Sequence, residues 1–160
     1  MTRVVLTVAG SDPSGGAGLQ ADLKTFSQHR VYGAAIPTVI TVQNTNGVID
    51  AESLSPSLVR AQLEAVLGDL APAAAKTGAL GSPEVVHEVA AFAARTAFPW
   101  VVDPVLSPTL GTSLSTADLT EPIRASLVPV AALMTPNAEE ASALSGKPVR
   151  TLREAAAAAA

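Results

Sequence analysis

The polar residues suited to chemistry fall in short clusters, each just after a run of small or β-branched apolar residues. They are Gly10-Ser11-Asp12, Gln43-Asn44, Lys76-Thr77-Gly78, Asp103-Pro104 and Thr135-Pro136-Asn137. Carboxylates only accept hydrogen bonds, a carboxamide both donates and accepts, and glycine leaves backbone bare, so this set suits a small polar ligand. Gly10 to Gly15 has the glycine spacing of a phosphate-binding loop. Gly16-Ala17 stand where lysine and a hydroxyl residue are needed, so the phosphate grip is missing. Gly16-Ala17-Gly18-Leu19-Gln20-Ala21 fits the looser dinucleotide pattern, but Gln43-Asn44 stand where that pattern wants an acid. Two readings of the loop stay open: a tight turn admitting a helix close to a sheet, and a turn whose backbone lets a ligand approach.

Asp22 is either a carboxylate favoured by a helix dipole on a solvated face or an acceptor pointing back to the strand ends. Asn137 and Glu140, spaced i, i+3 at a helix start, are either a capping pair or an anchor for magnesium and phosphate. His87-Glu88 opens like a zinc-binding H-E-x-x-H, but Ala91 stands in the fifth place.

The elements that must position these residues follow from apolar patterning. Arg3 to Ala9 reads as a strand buried on both faces. Leu19, Leu23 and Phe26 recur at helical spacing, and Gly33 ends that unit. Ala34 to Val42 reads as one strand with Pro37 as a bend or edge, and Val48 to Leu54 as a short strand. Ser55-Pro56 and Ser82-Pro83-Glu84 are cap-proline helix starts. Ala73 to Thr77, Trp100 to Val102 and Ala131 to Met134 read as strands. Ser115 to Leu127, Pro136 to Leu144 and a segment from Thr151 read as helices. Strands alternating with helices imply a parallel sheet covered by helices, with ligands at the carboxyl ends of the strands.

Composition agrees. The 160 residues are 48% hydrophobic and 15% charged, which excludes a chain disordered by composition. No cysteine excludes disulfides and thiolate chemistry, and two histidines are too few for a multi-histidine metal site. A net charge of −4 with scattered basic residues gives no footprint for nucleic acid. No apolar run approaches the ~20 residues that span a bilayer, so a cytoplasmic protein without membrane contact is expected.

Read together, the segments AGSDPSGGAGLQADLKTF (Ala9 to Phe26), VYGAAIPTVITVQNTNGV (Val31 to Val48), AAKTGALG (Ala74 to Gly81), VVDPVL (Val101 to Leu106) and TPNAEEA (Thr135 to Ala141) resemble the hydroxymethylpyrimidine and phosphomethylpyrimidine kinases of thiamine biosynthesis, in the ribokinase-like superfamily. The likeness runs along the whole chain in order. It implies a three-layer α/β fold, a largely parallel sheet flanked by helices, with residues 1–160 forming a single domain. It further implies the N-terminal part of the kinase, cut short at its C-terminus.

The resemblance implies ATP-dependent phosphorylation of 4-amino-5-hydroxymethyl-2-methylpyrimidine and of its monophosphate. Pyrimidine contacts fall on Gly10, Asp22 and Gln43, with Ala79 and Val105 as apolar walls. Ala79 stands where a methionine is common, which implies a roomier pocket. ATP and Mg2+ are the implied cofactors. Asp103, Asn137 and Glu140 fall on the nucleotide side, with Asp103 and Glu140 holding magnesium through water. The implied partners are the pyrimidine, ATP and a second copy in a homo-oligomer. In the loop after Val105, Gly111 keeps the family residue but Leu110 replaces a serine. The family's later K-G-G-H and G-T-G-C segments, the second supplying the anion hole and the group that activates the hydroxyl, have no counterpart, so no catalytic residue is assigned. Two other readings are a pyrimidine-binding fragment without activity and a kinase for a pyridoxal-type alcohol. Asp22 and Gln43-Asn44-Thr45 favour pyrimidine.

Asp22→Ala is expected to weaken pyrimidine binding by about 1.5–3 kcal/mol, the range of a charge-assisted hydrogen bond. Calorimetry that shows unchanged affinity removes Asp22 from the site.

Overall fold

The computed structural model describes residues 2–106 and 112–159. Strands β1 (Val4–Ala9), β2 (Tyr32–Pro37), β5 (Ala74–Thr77), β6 (Trp100–Val102) and β7 (Leu133–Met134) form a parallel sheet in the order β2-β1-β5-β6-β7. Strands β3 (Val39–Asn44) and β4 (Gly47–Ser53) form a separate antiparallel hairpin. Helices α1 (Gly18–Gln28), α2 (Pro56–Asp69) and α3 (Pro83–Ala93) cover the sheet, followed by the single turn α4 (Thr120–Pro122), α5 (Ala138–Ser145) and α6 (Leu152–Ala158).

Strand alternation divides the two faces of the sheet. Leu6, Val8 and Ile36 point into the main core with Val59 and Leu63 of α2 and Val85, Val86 and Val89 of α3. Thr7 points the other way, where its hydroxyl donates to Asp22 of α1 at 2.7 Å. The sheet is thus the middle of three layers, as expected. Gly33 lets α1 sit close: a Cβ there would lie 2.6 Å from Leu23 Cδ2 and 3.0 Å from Phe26 Cδ2. The caps read from sequence are present, with the Ser55 hydroxyl accepting from the Leu58 amide and the Ser82 hydroxyl from the Val85 amide.

Two elements differ from expectation. The single strand over Ala34 to Val42 is two strands in two sheets, broken at Thr38. Pro37 closes the edge strand β2, where a missing N–H is harmless. Thr38 then turns the chain: its amide donates to Ala9 O at 3.0 Å, and its buried hydroxyl donates to Ala79 O at 2.6 Å. The helix expected over Ser115 to Leu127 starts only at Thr120. Thr116 is instead tied to Gly81, its amide donating to the carbonyl at 2.9 Å, and the Asp118 carboxylate accepts from the Thr120 amide. Past Thr120 the coil widens to a π turn over Ile123–Leu127, then tightens to a 3-10 turn over Val128–Val130. Pro129 has no amide with which to continue an α-helix.

The largest core side chain is Trp100, 1% exposed, in the short strand β6. Its ring stacks on Phe98 at 5.9 Å between centroids, and its Nε1–H donates to Thr96 Oγ1 at 2.8 Å. Trp100→Ala is expected to cost about 3–5 kcal/mol through cavity formation and lost transfer energy. Urea unfolding measures it, and a loss below about 1 kcal/mol would show that β6 is not anchored by this ring.

Candidate functional site

A cavity of about 590 Å³ opens at the carboxyl ends of the parallel strands, under the β3-β4 hairpin. The hairpin is laced to the sheet edge rather than resting on it. The Ser11 amide donates to Val39 O at 2.8 Å, and the Thr41 hydroxyl donates to Ser11 O at 2.8 Å. At the end of β4, the Ser53 hydroxyl donates to Gly81 O at 3.1 Å. Four of the polar clusters come from strand ends of the main sheet. Gln43-Asn44 comes from the hairpin roof instead, which corrects the expectation that all of them end strands of one sheet.

Gly10, Gln43, Ala79, Val105, Asp103, Asn137 and Glu140 all line this cavity. Asp22 does not. It lies behind Lys76, whose ammonium donates to both of its oxygens at 3.0 and 3.1 Å. The register explains the meeting. Thr7 of β1 pairs with Lys76 of β5, so both project from the same face, toward Asp22 on α1. Lys76 also pairs with Val101, and Asp103 lies two residues on, hence on the same face. Lys76 Nζ is 3.5 Å from Asp103 Oδ2. Lys76 stood out in sequence only as part of a polar strand end. The available signal was a lysine inside an alanine-rich strand, where an ammonium needs a partner.

The glycine-rich loop is held by Asp12, 2% exposed, another residue given no role from sequence. Its carboxylate accepts from the Ser14 amide and hydroxyl and from the amides of Gly16 and Ala17, at 2.7 to 3.0 Å. Burial works to raise the Asp12 carboxyl. The Ser14 hydroxyl and the three amides outweigh it and hold the group below the ordinary aspartate value of 3.8. These amides therefore already have an anion, and the loop is not a vacant phosphate cradle. Gly18 completes the turn at φ +56, where an added Cβ would fall 2.3 Å from Gly10 O.

On the opposite wall, Asn137 and Glu140 form a full capping box. The Asn137 side chain accepts from the amides of Glu139 and Glu140, and the Glu140 carboxylate accepts from the Asn137 amide at 2.8 Å. The capping reading is thus realised, with both residues still on the cavity. Glu140 is 8% exposed, and desolvation, opposed by the Asn137 amide but reinforced by the charge of Asp103, pushes its carboxyl up. Asp103 is also pushed up, chiefly by desolvation, with Lys76 pulling the other way. Two desolvated carboxylates on one cavity, Glu140 repelled by Asp103 and Asp103 by Asp22, suit a hard cation with oxygen ligands. Among the described residues no group of three or more histidines and carboxylates gathers as a complete metal cage. The loop carrying Leu110 and Gly111 lies outside the described residues. Among those described, no helix is long and apolar enough to cross a membrane.

The profile of the phosphomethylpyrimidine kinase family matches residues 12–160. A hydroxymethylpyrimidine/phosphomethylpyrimidine kinase from Synechococcus elongatus is 43% identical over 147 residues, covering 92% of this chain and 56% of that protein. The crystal structure of a phosphomethylpyrimidine kinase from Clostridium difficile superposes with a TM-score of 0.88 at 39% identity, covering 98% of this chain and 68% of that one. A pyridoxal kinase from Staphylococcus aureus, in complex with AMP-PCP and pyridoxal, gives a TM-score of 0.85 at 34% identity over 99% of this chain. The chain spans about half the length of the curated relatives it matches, 56% for the Synechococcus protein.

The depressed Asp12 carboxyl has a pH signature. A carboxyl lowered on folding adds stability that is present above its unfolded value and is lost as pH falls toward its folded one. Asp12→Asn is expected to cost about 2–3 kcal/mol near neutrality, from weakened charge-assisted bonds. Urea titrations should show this gap constant from neutral pH down to about 5 and shrinking below the 3.8 reference. A gap independent of pH would mean that the Asp12 charge does not hold the loop.

Proposed function

The chain belongs to the phosphomethylpyrimidine kinase family, and on that premise we propose that the protein carrying it transfers the terminal phosphoryl group of ATP to 4-amino-5-hydroxymethyl-2-methylpyrimidine and then to its monophosphate. The observation that carries this reading is the shared cavity. It sets the Gln43 carboxamide and the Gly10 backbone opposite Asp103, Asn137 and Glu140. Its volume of about 590 Å³ lies within the usual range of ligand sites, roughly 300–1,000 Å³. An aminopyrimidine presents an amine donor and ring-nitrogen acceptors along one edge. Gln43 can both donate to and accept from that edge, and Ala79 and Val105 supply the apolar walls for the ring.

Asp22, held behind Lys76 and off the cavity wall, is the acid that the family likeness assigns to that edge. Asp103 and Glu140 are the residues that would hold Mg2+, through water, and the desolvation of both carboxylates, with Asp103 repelling Glu140, is the reason a cation is welcome there. The ion would supply charge neutralisation for the phosphates. In phosphoryl transfer such positioning and neutralisation contribute more than covalent chemistry by the protein. The chain's own residues align the acceptor, keep the Asp22 and Asp103 carboxylates apart by an ammonium, and fix Glu140 through its cap. We place the protein in the cytoplasm as a homo-oligomer.

A pyridoxal-type alcohol is the competing substrate, supported by the likeness to the S. aureus pyridoxal kinase. It has a phenolic oxygen and an aldehyde where the pyrimidine has an amine and a second ring nitrogen, so it gives Asp22 no amine to accept from.

ATP consumption by the intact protein is expected to depend on both the pyrimidine and Mg2+, with pyridoxal a poorer substrate. Preference for pyridoxal overturns the pyrimidine assignment. Glu140→Gln keeps an oxygen for the Asn137 amide but removes the charge. It is expected to lower turnover about tenfold or more at limiting Mg2+ while leaving pyrimidine affinity within about twofold. Equal loss of both would make Glu140 a folding residue only.

A further inference from the structure

Lys76 stands where the two sides of the cavity meet. It lines the cavity, as Asp103 does, while Asp22 sits behind it. Its side chain is 25% exposed, and those of Asp22 and Asp103 are 15% and 32% exposed. The ammonium takes both oxygens of Asp22 at 3.0 and 3.1 Å and lies 3.5 Å from Asp103 Oδ2. Thr7 Oγ1 holds one Asp22 oxygen from the sheet side at 2.7 Å. The Asp22 carboxylate is thus pinned by two donors from neighbouring strands. Gly78 keeps the surroundings tight, since a Cβ there would meet Ala9 Cβ at 2.9 Å and Lys76 Nζ at 3.5 Å. Lysine is the only cationic residue type among the described cavity-lining residues, and only Lys76 supplies it.

We propose that Lys76 is a positioning residue that couples the two sides of the site: it fixes the Asp22 carboxylate for the substrate and offsets the charge that Asp103 offers to a cation. This rests on the kinase reading above. The two roles have opposite signs. Without the ammonium, Asp22 loses its fixed orientation and the substrate side weakens. The same loss removes a positive charge beside Asp103, so a divalent cation is repelled less and binds more tightly. General damage to the fold would weaken both ligands together.

The test measures two equilibria in the intact protein without nucleotide: hydroxymethylpyrimidine by calorimetry and Mn2+ by electron paramagnetic resonance. Lys76→Met is expected to raise the pyrimidine Kd about tenfold and lower the Mn2+ Kd severalfold. Lys76→Arg, which keeps the charge, should return both to within about threefold of wild type. Added to Asp22→Ala, Lys76→Met should cost pyrimidine binding little more, because it acts through that carboxylate.

The proposal is overturned if Lys76→Met leaves both affinities unchanged, or if both fall together with the Tm. Should Lys76→Met not fold, the Lys76 Nζ resonance of the wild-type protein decides. It should shift on adding pyrimidine and on adding Mg2+, and a resonance unmoved by either overturns the proposal. A wild-type protein that binds no pyrimidine would sink the kinase reading instead. The Mn2+ comparison would then still decide the cation half of the proposal, with unchanged affinity overturning it.

Discussion

The site begins with a carboxylate whose oxygens are taken by its own loop. Asp12 takes the Ser14, Gly16 and Ala17 amides and the Ser14 hydroxyl. A buried carboxylate with this many donors is stable as an anion, and its loop has little freedom left. The loop sets where α1 starts. The Leu19 amide then donates to Gly10 O at 2.9 Å, and the Asp12 amide donates to Gln20 Oε1 at 2.8 Å. With that start fixed, Asp22 falls one turn into the helix, over the face of the sheet that carries Thr7 and Lys76. Lys76 then reaches Asp103, and Asp103 acts on Glu140. Charge interactions thus run from Asp22 through Lys76 and Asp103 to the capping box at Glu140.

Local chemistry was legible in the sequence; partnership across strands was not. The glycine turn, the Ser-Pro helix starts and the Asn137-Glu140 pair each depend on residues within a few positions of one another. Their structure follows from short-range hydrogen bonding. The split of Ala34 to Val42 into two strands depends on Thr38 reaching Ala79, 41 residues away. No periodicity within the segment contains that information. The late start near Thr120 has a similar cause, since Thr116 is held by Gly81. Lys76 and Asp22 are 54 residues apart and meet only because β1 and β5 pair in one register. A shift of one residue would turn Lys76 to the opposite face.

The family likeness brought Asp22 forward as a ligand-facing acid, while the fold places it as a supported one. These descriptions differ physically. An acid on the cavity wall exchanges water for ligand. An acid behind an ammonium is already paired, and a ligand must share it. Removing one member of this half-buried pair leaves the other with poorer partners, the Thr7 hydroxyl for Asp22 and Asp103 for Lys76. Substitutions at Asp22 and Lys76 are therefore not independent probes, and only their combination separates substrate contact from charge balance.

The arrangement also bears on how an anion would meet this wall of the cavity. In a phosphate-binding loop, bare amides and a lysine grip the anion. Here the amides of the glycine loop belong to Asp12, and those at the start of α5 belong to the Asn137 side chain. The cavity's lysine belongs mostly to Asp22, at 3.0 Å against 3.5 Å for Asp103. The strand ends resemble an anion site in glycine content, yet the amides of Ser14, Gly16, Ala17, Glu139 and Glu140 are taken by side chains of the chain itself. What they offer is the reverse: the carboxylates of Asp103 and Glu140, desolvated and only partly offset. An anionic ligand approaches such a wall favourably only with a cation between. The glycines serve close packing, Gly18 against Gly10 O and Gly78 against Ala9, and the acids set the charge of the wall.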